Sequence, residues 1–283
     1  MVRPPRKSLP IRALKTLASA FCFSMWGLGA SILAWFVLPI SRLRMRNATP
    51  KERMHRAQEI TAAGNGMLVK LMRFCGLVMF NKSGNELDLP DGPYVLIANH
   101  PCLIDVCTLT SINPRMCVIA KPKMTRSWFV GRALRAAGHI EAPGKADSAF
   151  AGAAVVSAAV ERLKQGFPVL FFPEGTRSPP GAIGKFSRGA FEAARRAGVP
   201  IACCLISADP PTLHRGMKWH QLPKEGSQYT IQARPPVTID EVGGNSRAAS
   251  SHFHEIFTAH VQRKSDRVAE ASAEVTQQAG VTP

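Results

Sequence analysis

The sequence predicts an α/β fold: a mixed, largely parallel sheet flanked by helices, with an N-terminal membrane-embedded helical segment. Three observations carry this. From Tyr94 to Ala233, short apolar β-rich runs alternate with helix-patterned runs, the order that strands and crossover helices take in a parallel sheet. Residues 18–40 form a stretch of 23 without a charge, long enough to cross a bilayer. The basic excess gathers around that stretch: of a net charge of +17, residues 1–56 hold eleven Lys or Arg against Glu52 alone. A surplus of that kind beside an apolar segment points to an anionic membrane surface, whereas a nucleic-acid binder spreads its charge over a folded face interleaved with aromatics.

At 283 residues and 46% hydrophobic, the chain can bury a full core as one large domain with an appendage. Its seven cysteines (Cys22, Cys75, Cys102, Cys107, Cys117, Cys203 and Cys204) are odd in number, lie mostly in apolar runs and include no C-x-x-C pair. That usage fits a reducing compartment. A zinc set of His100, Cys102, Cys107 and Cys117 matches no common ligand spacing, so buried thiols and no metal are expected.

In order, Arg3, Arg6, Lys7, Arg12 and Lys15 precede the apolar segment, and Arg42, Arg44, Arg46, Lys51, Arg53 and Arg56 follow it. Equal basic flanks suit a re-entrant or monotopic anchor, bent near Gly27 and Gly29, as well as a span. A signal peptide is disfavoured, because the apolar core is long and no small-x-small site follows. Residues 48–80 then read as an amphipathic helix, with Leu68, Leu71, Met72, Cys75 and Met79 on one stripe. Residues 1–80 are therefore expected to form the membrane anchor and amphipathic helix. Residues 81–92, rich in Asn, Asp, Pro and Gly, read as a turn region, a second unit is expected over residues 90–268, and a mobile tail over 269–283.

Within that second unit, strands are expected at 94–98, 116–120, 167–172, 200–207 and 229–233, and helices at 128–137, 149–165, 188–197 and 246–268. The run V-L-I-A-N-H-P-C-L-I-D ends a buried strand in Asn99-His100 and carries Asp105 five residues beyond the histidine. Pro101 suits the first turn of a following helix, which places His100 at a strand-to-helix corner. Open α/β sheets bind ligands at the carboxyl ends of their strands, and a carboxylate on that helix can hold the second imidazole nitrogen. The second chemical stretch is Phe172-Pro173-Glu174-Gly175-Thr176-Arg177, a strand running into a turn with a carboxylate, a glycine and a guanidinium fork suited to phosphate. No P-loop and no G-x-S-x-G elbow are present.

Together, N-H-x-x-x-x-D at 99–105 and F-P-E-G-T-R at 172–177 resemble the glycerolipid acyltransferase family typified by 1-acylglycerol-3-phosphate acyltransferases. Weaker matches are Lys121-x-x-Met124, Phe129-x-Gly131, Gly138-x-Ile140 and Val199-Pro200-Ile201. The resemblance implies an O-acyltransferase in phospholipid biosynthesis that moves an acyl group from acyl-CoA or acyl-carrier protein, as co-substrate and with no cofactor, to a lysolipid hydroxyl. His100 would be the base and Asp105 its orienter, with Glu174, Gly175, Thr176, Arg177 and Lys121 binding the acceptor. Lysophosphatidate is the acceptor expected, and the inner (cytoplasmic) membrane, with the catalytic domain facing the cytoplasm, the expected location. Three positions depart from the family pattern: Cys102 stands where Ser or Thr is usual, Lys123 where Glu is common, and no arginine follows Ile140, Lys145 being the candidate substitute. Another lysolipid acceptor, a thioesterase, and a membrane-anchored lipid-binding protein without turnover are the alternatives.

Overall fold

In the computed structural model, which describes residues 9–80, 89–142 and 148–278, the chain opens on helix α1 (Leu9–Ile32), passes through a π-helical turn (Leu33–Val37) and continues as α2 (Leu38–Arg44). The irregularity falls at 33–37 and not at Gly27 and Gly29, which sit inside α1. Pro39 accounts for this: it lacks an N–H for the preceding turn and its ring crowds it, so the ladder shifts to a wider spacing just upstream. Helix α3 (Pro50–Phe74) starts at a capping box in which Thr49 and Glu52 satisfy each other's backbone N–H groups.

α3 is shorter than its apolar pattern. Gly76, at φ +63°, ends the helix, and the next residues form strand β1 (Val78–Phe80), so Met79 belongs to a strand instead of the helical stripe. The remaining elements are β2 (Val95–Ala98), α4 (Asp105–Ile112), β3 (Cys117–Ala120), α5 (Pro122–Thr125), α6 (Gly131–Ala136), β4 (Ile140–Glu141), α7 (Ser148–Lys164), β5 (Val169–Phe171), α8 (Gly189–Ala197), β6 (Ile201–Asp209), β7 (Ser227–Val237) and α9 (Ser246–Gln278). α9 runs past residue 268 because Ala, Glu and Gln, strong helix formers, fill its last turns. Residues 279–283, Arg3, Arg6, Lys7, Lys145 and residues 81–88 of the turn region lie outside the described residues.

The sheet is seven-stranded, ordered β1-β7-β6-β2-β5-β3-β4, and every pair is parallel except β6 with β7. Central strands are buried on both faces, which explains their uninterrupted apolar sequences. Alternate residues serve two cores. Val95, Ile97, Val169, Phe171 and Leu205 pack with Phe191, Phe253 and Phe257 of α8 and α9, while Leu96, Ala98, Leu170 and Ile206 pack with Leu68 and Met72 of α3, Leu109 of α4 and Cys22 of α1.

Helix α1 lies along the domain and does not project from it. Cys22 is buried, Trp26 donates to Asn65 Oδ1 of α3 at 3.2 Å, and Ser19 donates to the Trp219 carbonyl at 2.8 Å. Trp35 packs at a tilt against Trp128, ring centroids 5.3 Å apart. The other side of the same helix is apolar and exposed through Leu14, Leu17, Phe21, Met25, Leu28 and Ile32, a run at helical spacing. The helical stretch Ile11–Arg44 is long and apolar enough, by length and composition, to cross a membrane.

Candidate active site

Strands β2, β5 and β3 are parallel, so their carboxyl ends share one edge, and both sequence motifs emerge there. Asn99 extends the β2 ladder by a side chain: its Nδ2 donates to the Ile206 carbonyl at 2.8 Å and its Oδ1 accepts from Ile206 N at 2.7 Å. A primary amide offers both a donor and an acceptor, so it stands in for a peptide group and frees His100 to turn away. Residues 101–104 then form a turn, and α4 begins at Asp105, so Pro101 lies ahead of the helix and not in its first turn.

His100 Nδ1 is 2.7 Å from Asp105 Oδ2. The Asp105 carboxylate is fully buried and accepts two further bonds, from Cys102 N at 2.8 Å and from the Tyr229 hydroxyl at 2.5 Å. An ionised carboxylate only accepts, so Nδ1 carries the proton and Nε2 is left as the acceptor. Phe172 stacks on the imidazole at 4.3 Å and fixes its plane. Burial and the Asp105 charge hold the Tyr229 hydroxyl well above its usual range, so it stays a donor. Cys102 is fully buried and its thiol is pushed up by burial and by Asp105, which keeps it protonated and makes it a poor nucleophile.

The 172–178 turn closes against this corner. Ser178 N donates to the His100 carbonyl at 2.7 Å, and His100 N donates to Ser178 Oγ at 3.1 Å. Glu174 accepts from Ser178 Oγ at 2.5 Å and from Gly184 N at 2.7 Å, so its carboxylate is spent on shaping the turn. Gly175 takes φ +66°, a left-handed conformation costly for a side chain, and Thr176 is partly buried beside it. Arg177 directs one nitrogen, Nη1, to the carbonyls of Leu213 and His214 at 2.8 and 3.0 Å. Its other nitrogens have no hydrogen-bond partner among the described residues. Lys121 caps α5 at the end of β3, exposed on the same edge but two strands from β2, and does not join the cluster.

The structure thus brings His100, Asp105, Glu174, Gly175, Thr176 and Arg177 together, and adds Tyr229, Ser178 and Asn99, to which sequence reading gave no role. Asn99 and Ser178 adjoin the motifs and could be found by asking what holds the corner. Nothing local marks Tyr229, which lies 124 residues from its partner.

Residues 79–207, which include this sheet edge, match the Acyltransferase family model. Both motifs, at 99–105 and 172–177, lie inside the matched stretch. It is 28% identical over 271 residues to the 1-acyl-sn-glycerol-3-phosphate acyltransferase of Pseudomonas aeruginosa, covering 94% of this chain and 93% of that protein. It is 34% identical over 116 residues to the chloroplastic enzyme BAT2 of Brassica napus, 41% of this chain and 33% of that one, so it spans about a third of the plant relative's length. The crystal structure of PlsC, a 1-acyl-sn-glycerophosphate acyltransferase from Thermotoga maritima, has the same fold: TM-score 0.66, 22% identity, 90% of this chain and 96% of that one.

Proposed function

We propose that the protein is a membrane-associated O-acyltransferase that moves a fatty acyl group from acyl-CoA or acyl-carrier protein to the free hydroxyl of a lysolipid, lysophosphatidate being the acceptor and phosphatidate the product. The observation that carries this is the chain Tyr229–Asp105–His100, which leaves one imidazole nitrogen open beside the Arg177 turn. In the reaction, His100 Nε2 takes the proton of the lysolipid hydroxyl as that oxygen attacks the thioester carbonyl. The tetrahedral adduct collapses with cleavage of the C–S bond, and the imidazolium returns the proton to the leaving sulfur. Asp105 holds the ring and stabilises its charged form. Because a thioester is already activated, no acyl-enzyme is required, in keeping with the protonated, buried Cys102. The uncommitted nitrogens of Arg177 grip the acceptor phosphate, with Gly175 and Thr176 lining that approach.

The relatives named for 1-acyl-sn-glycerol-3-phosphate support the choice of acceptor. The course of α1 supports a monotopic seat in one leaflet: a helix packed along α3 cannot cross a bilayer without drawing the domain with it. With Arg12 and Lys15 at one end and Arg42, Arg44 and Arg46 at the other, both ends stay on the cytoplasmic side of the inner membrane. Residues 1–80 are then the anchoring unit and 90–268 the catalytic one.

The test is transfer of labelled acyl groups to lysophosphatidate by the purified protein. His100→Ala should lower kcat by about a hundred- to ten-thousandfold with the fold retained. Near-normal turnover in that variant would sink the mechanism, and free fatty acid formed equally with and without acceptor would make the protein a thioesterase.

A further inference from the structure

The apolar surface of α1 continues onto two loops of the sheet domain, each fastened at the border of the outward row. Near the amino end, Thr16, beside Leu17 of that row, donates to the His220 carbonyl at 3.2 Å, and Ser19 donates to that of Trp219 at 2.8 Å. At the far end Trp35, beside the exposed Phe36, donates its indole N–H to the Trp128 carbonyl at 3.2 Å and packs against the Trp128 ring. Both loops then turn apolar side chains to solvent: Trp219 is 47% exposed, and Met124, Trp128 and Phe129 are 43, 62 and 55% exposed. The same segments are basic. Residues 121–135 hold five Lys or Arg and residues 211–224 hold three, with no Asp or Glu in either. Glu141 pairs with Arg126, whereas Lys121, Lys123, Arg215 and Lys218 have no acidic partner among the described residues.

Exposed aromatic rings in a contiguous patch mark a docking surface, and rings interleaved with cations suit the headgroup level of an anionic bilayer. Position along the helix sets the orientation. The attachments at Ser19 and Trp35 are about 24 Å apart along the axis. A spanning α1 would put the two aromatic loops at opposite depths, whereas an α1 lying in the leaflet plane puts both at one interface. We propose that the 121–129 and 214–220 loops form a second lipid-contacting surface, which meets the anionic headgroups of the leaflet that holds α1. An acidic partner protein would answer the cations but not their continuity with the apolar row. Both loops lead to the site: Lys121 follows β3 on the edge that carries His100, and the Leu213 and His214 carbonyls hold Arg177. Seating the loops brings that edge to the level of an acceptor embedded in the bilayer. The assignment rests on the membrane-associated reading above.

The experiment is sedimentation of the full-length protein with phosphatidylcholine vesicles, with and without phosphatidylglycerol, paired with acyl transfer to lysophosphatidate presented in those vesicles or as a short-chain monomer. Lys123→Ala and Lys218→Ala should each weaken binding about fivefold to the anionic vesicles and leave binding to the neutral ones unchanged. Phe129→Ser with Trp219→Ser should weaken binding to both about tenfold or more. The same pair should raise KM for the vesicle-borne acceptor and leave transfer to the monomeric one within about twofold, with the thermal melt in detergent as the control for folding. Quenching of tryptophan emission by brominated lipid should fall in Trp219→Phe. A wild-type protein that binds vesicles while all these variants bind as well as it does overturns the loop assignment alone. Lysine variants that bind vesicles normally but lose affinity for acyl-carrier protein give the patch to an acidic protein and overturn it too. A wild-type protein that stays in solution beside anionic vesicles sinks the membrane reading itself.

Discussion

The two faces of the sheet are closed by different means. Under α7, α8 and α9, the core is rich in phenylalanine, and Phe191, Phe253 and Phe257 are almost wholly buried. On the other face, the cover is α3 and α4 with α1 laid alongside, and α1 turns a row of apolar side chains outward. One face is closed by the protein alone. The other leaves an apolar row of α1 exposed, and on that same face Asp105, Cys102 and Tyr229 are buried behind the imidazole. Burial therefore does two kinds of work here: it closes a core on one side, and on the other it fixes the partners of the His100 imidazole under an apolar outer surface.

The sharpest way to break this contrast is to compare truncations on the two faces. Phe257→Ala should destabilise the fold by about 3–5 kcal/mol, the cost of emptying a closed aromatic site, with no change in vesicle binding. Chemical denaturation and sedimentation with vesicles measure both. A loss of vesicle binding with unchanged stability would contradict the division.

The next effect is one of pH. His139 is half-buried where its Nδ1 accepts from Val118 N, and desolvation pulls its pKa from 6.5 down to about 4. Between those values the unfolded chain binds the extra proton and the folded one does not, so stability is full above about pH 6.5 and falls as pH drops toward 4. The expected loss is roughly 2–3 kcal/mol, and His139→Gln should flatten it. A thermal melt series with the same slope in both proteins would assign the acid lability elsewhere; burial lowers the pKa of His55 in the same direction.

Smaller again is Tyr229→Phe, which removes one of the hydrogen bonds to the Asp105 carboxylate. We expect kcat to fall about tenfold with acceptor and donor KM nearly unchanged, since the change reaches substrate only through the imidazole. A rise in KM without loss of kcat would show a packing role only. Smallest in stability is the outward stripe: Phe21→Ser with Leu28→Ser should change the free energy of folding in detergent by under about 0.5 kcal/mol each, yet markedly weaken vesicle binding. Retained binding would leave the basic flanks as the anchor, and a high-salt wash would then release the protein.

How much of this was legible in sequence follows from the range over which each feature is specified. β2, β5 and β6 are short uncharged runs, and the two motifs sit at the ends of β2 and β5, so the edge and its six clustered residues could be placed from local pattern. Strand β1 could not, because Leu77, Val78 and Met79 continue an apolar run that fits a helix, and only Gly76 and the pairing with β7 decide otherwise. Gly27 and Gly29 suggest in sequence where the apolar helix departs from regularity, whereas the π-helical turn lies just before Pro39. Lys121 shares the edge but stands two strands away, a distance that sequence spacing does not encode. Tyr229 was invisible for the same reason: it acts through a residue far along the chain.

The Asn99 clamp has a further consequence in time. The corner depends on Ile206 and Tyr229, which lie 107 and 124 residues beyond their partners Asn99 and Asp105. During synthesis the apolar N-terminal helix is available long before β6 and β7 exist, since chains emerge from the N-terminus at roughly 5–20 residues per second. A nascent chain thus presents that apolar helix while His100 still has no fixed orientation. The corner takes its shape only when β6 and β7 complete the sheet.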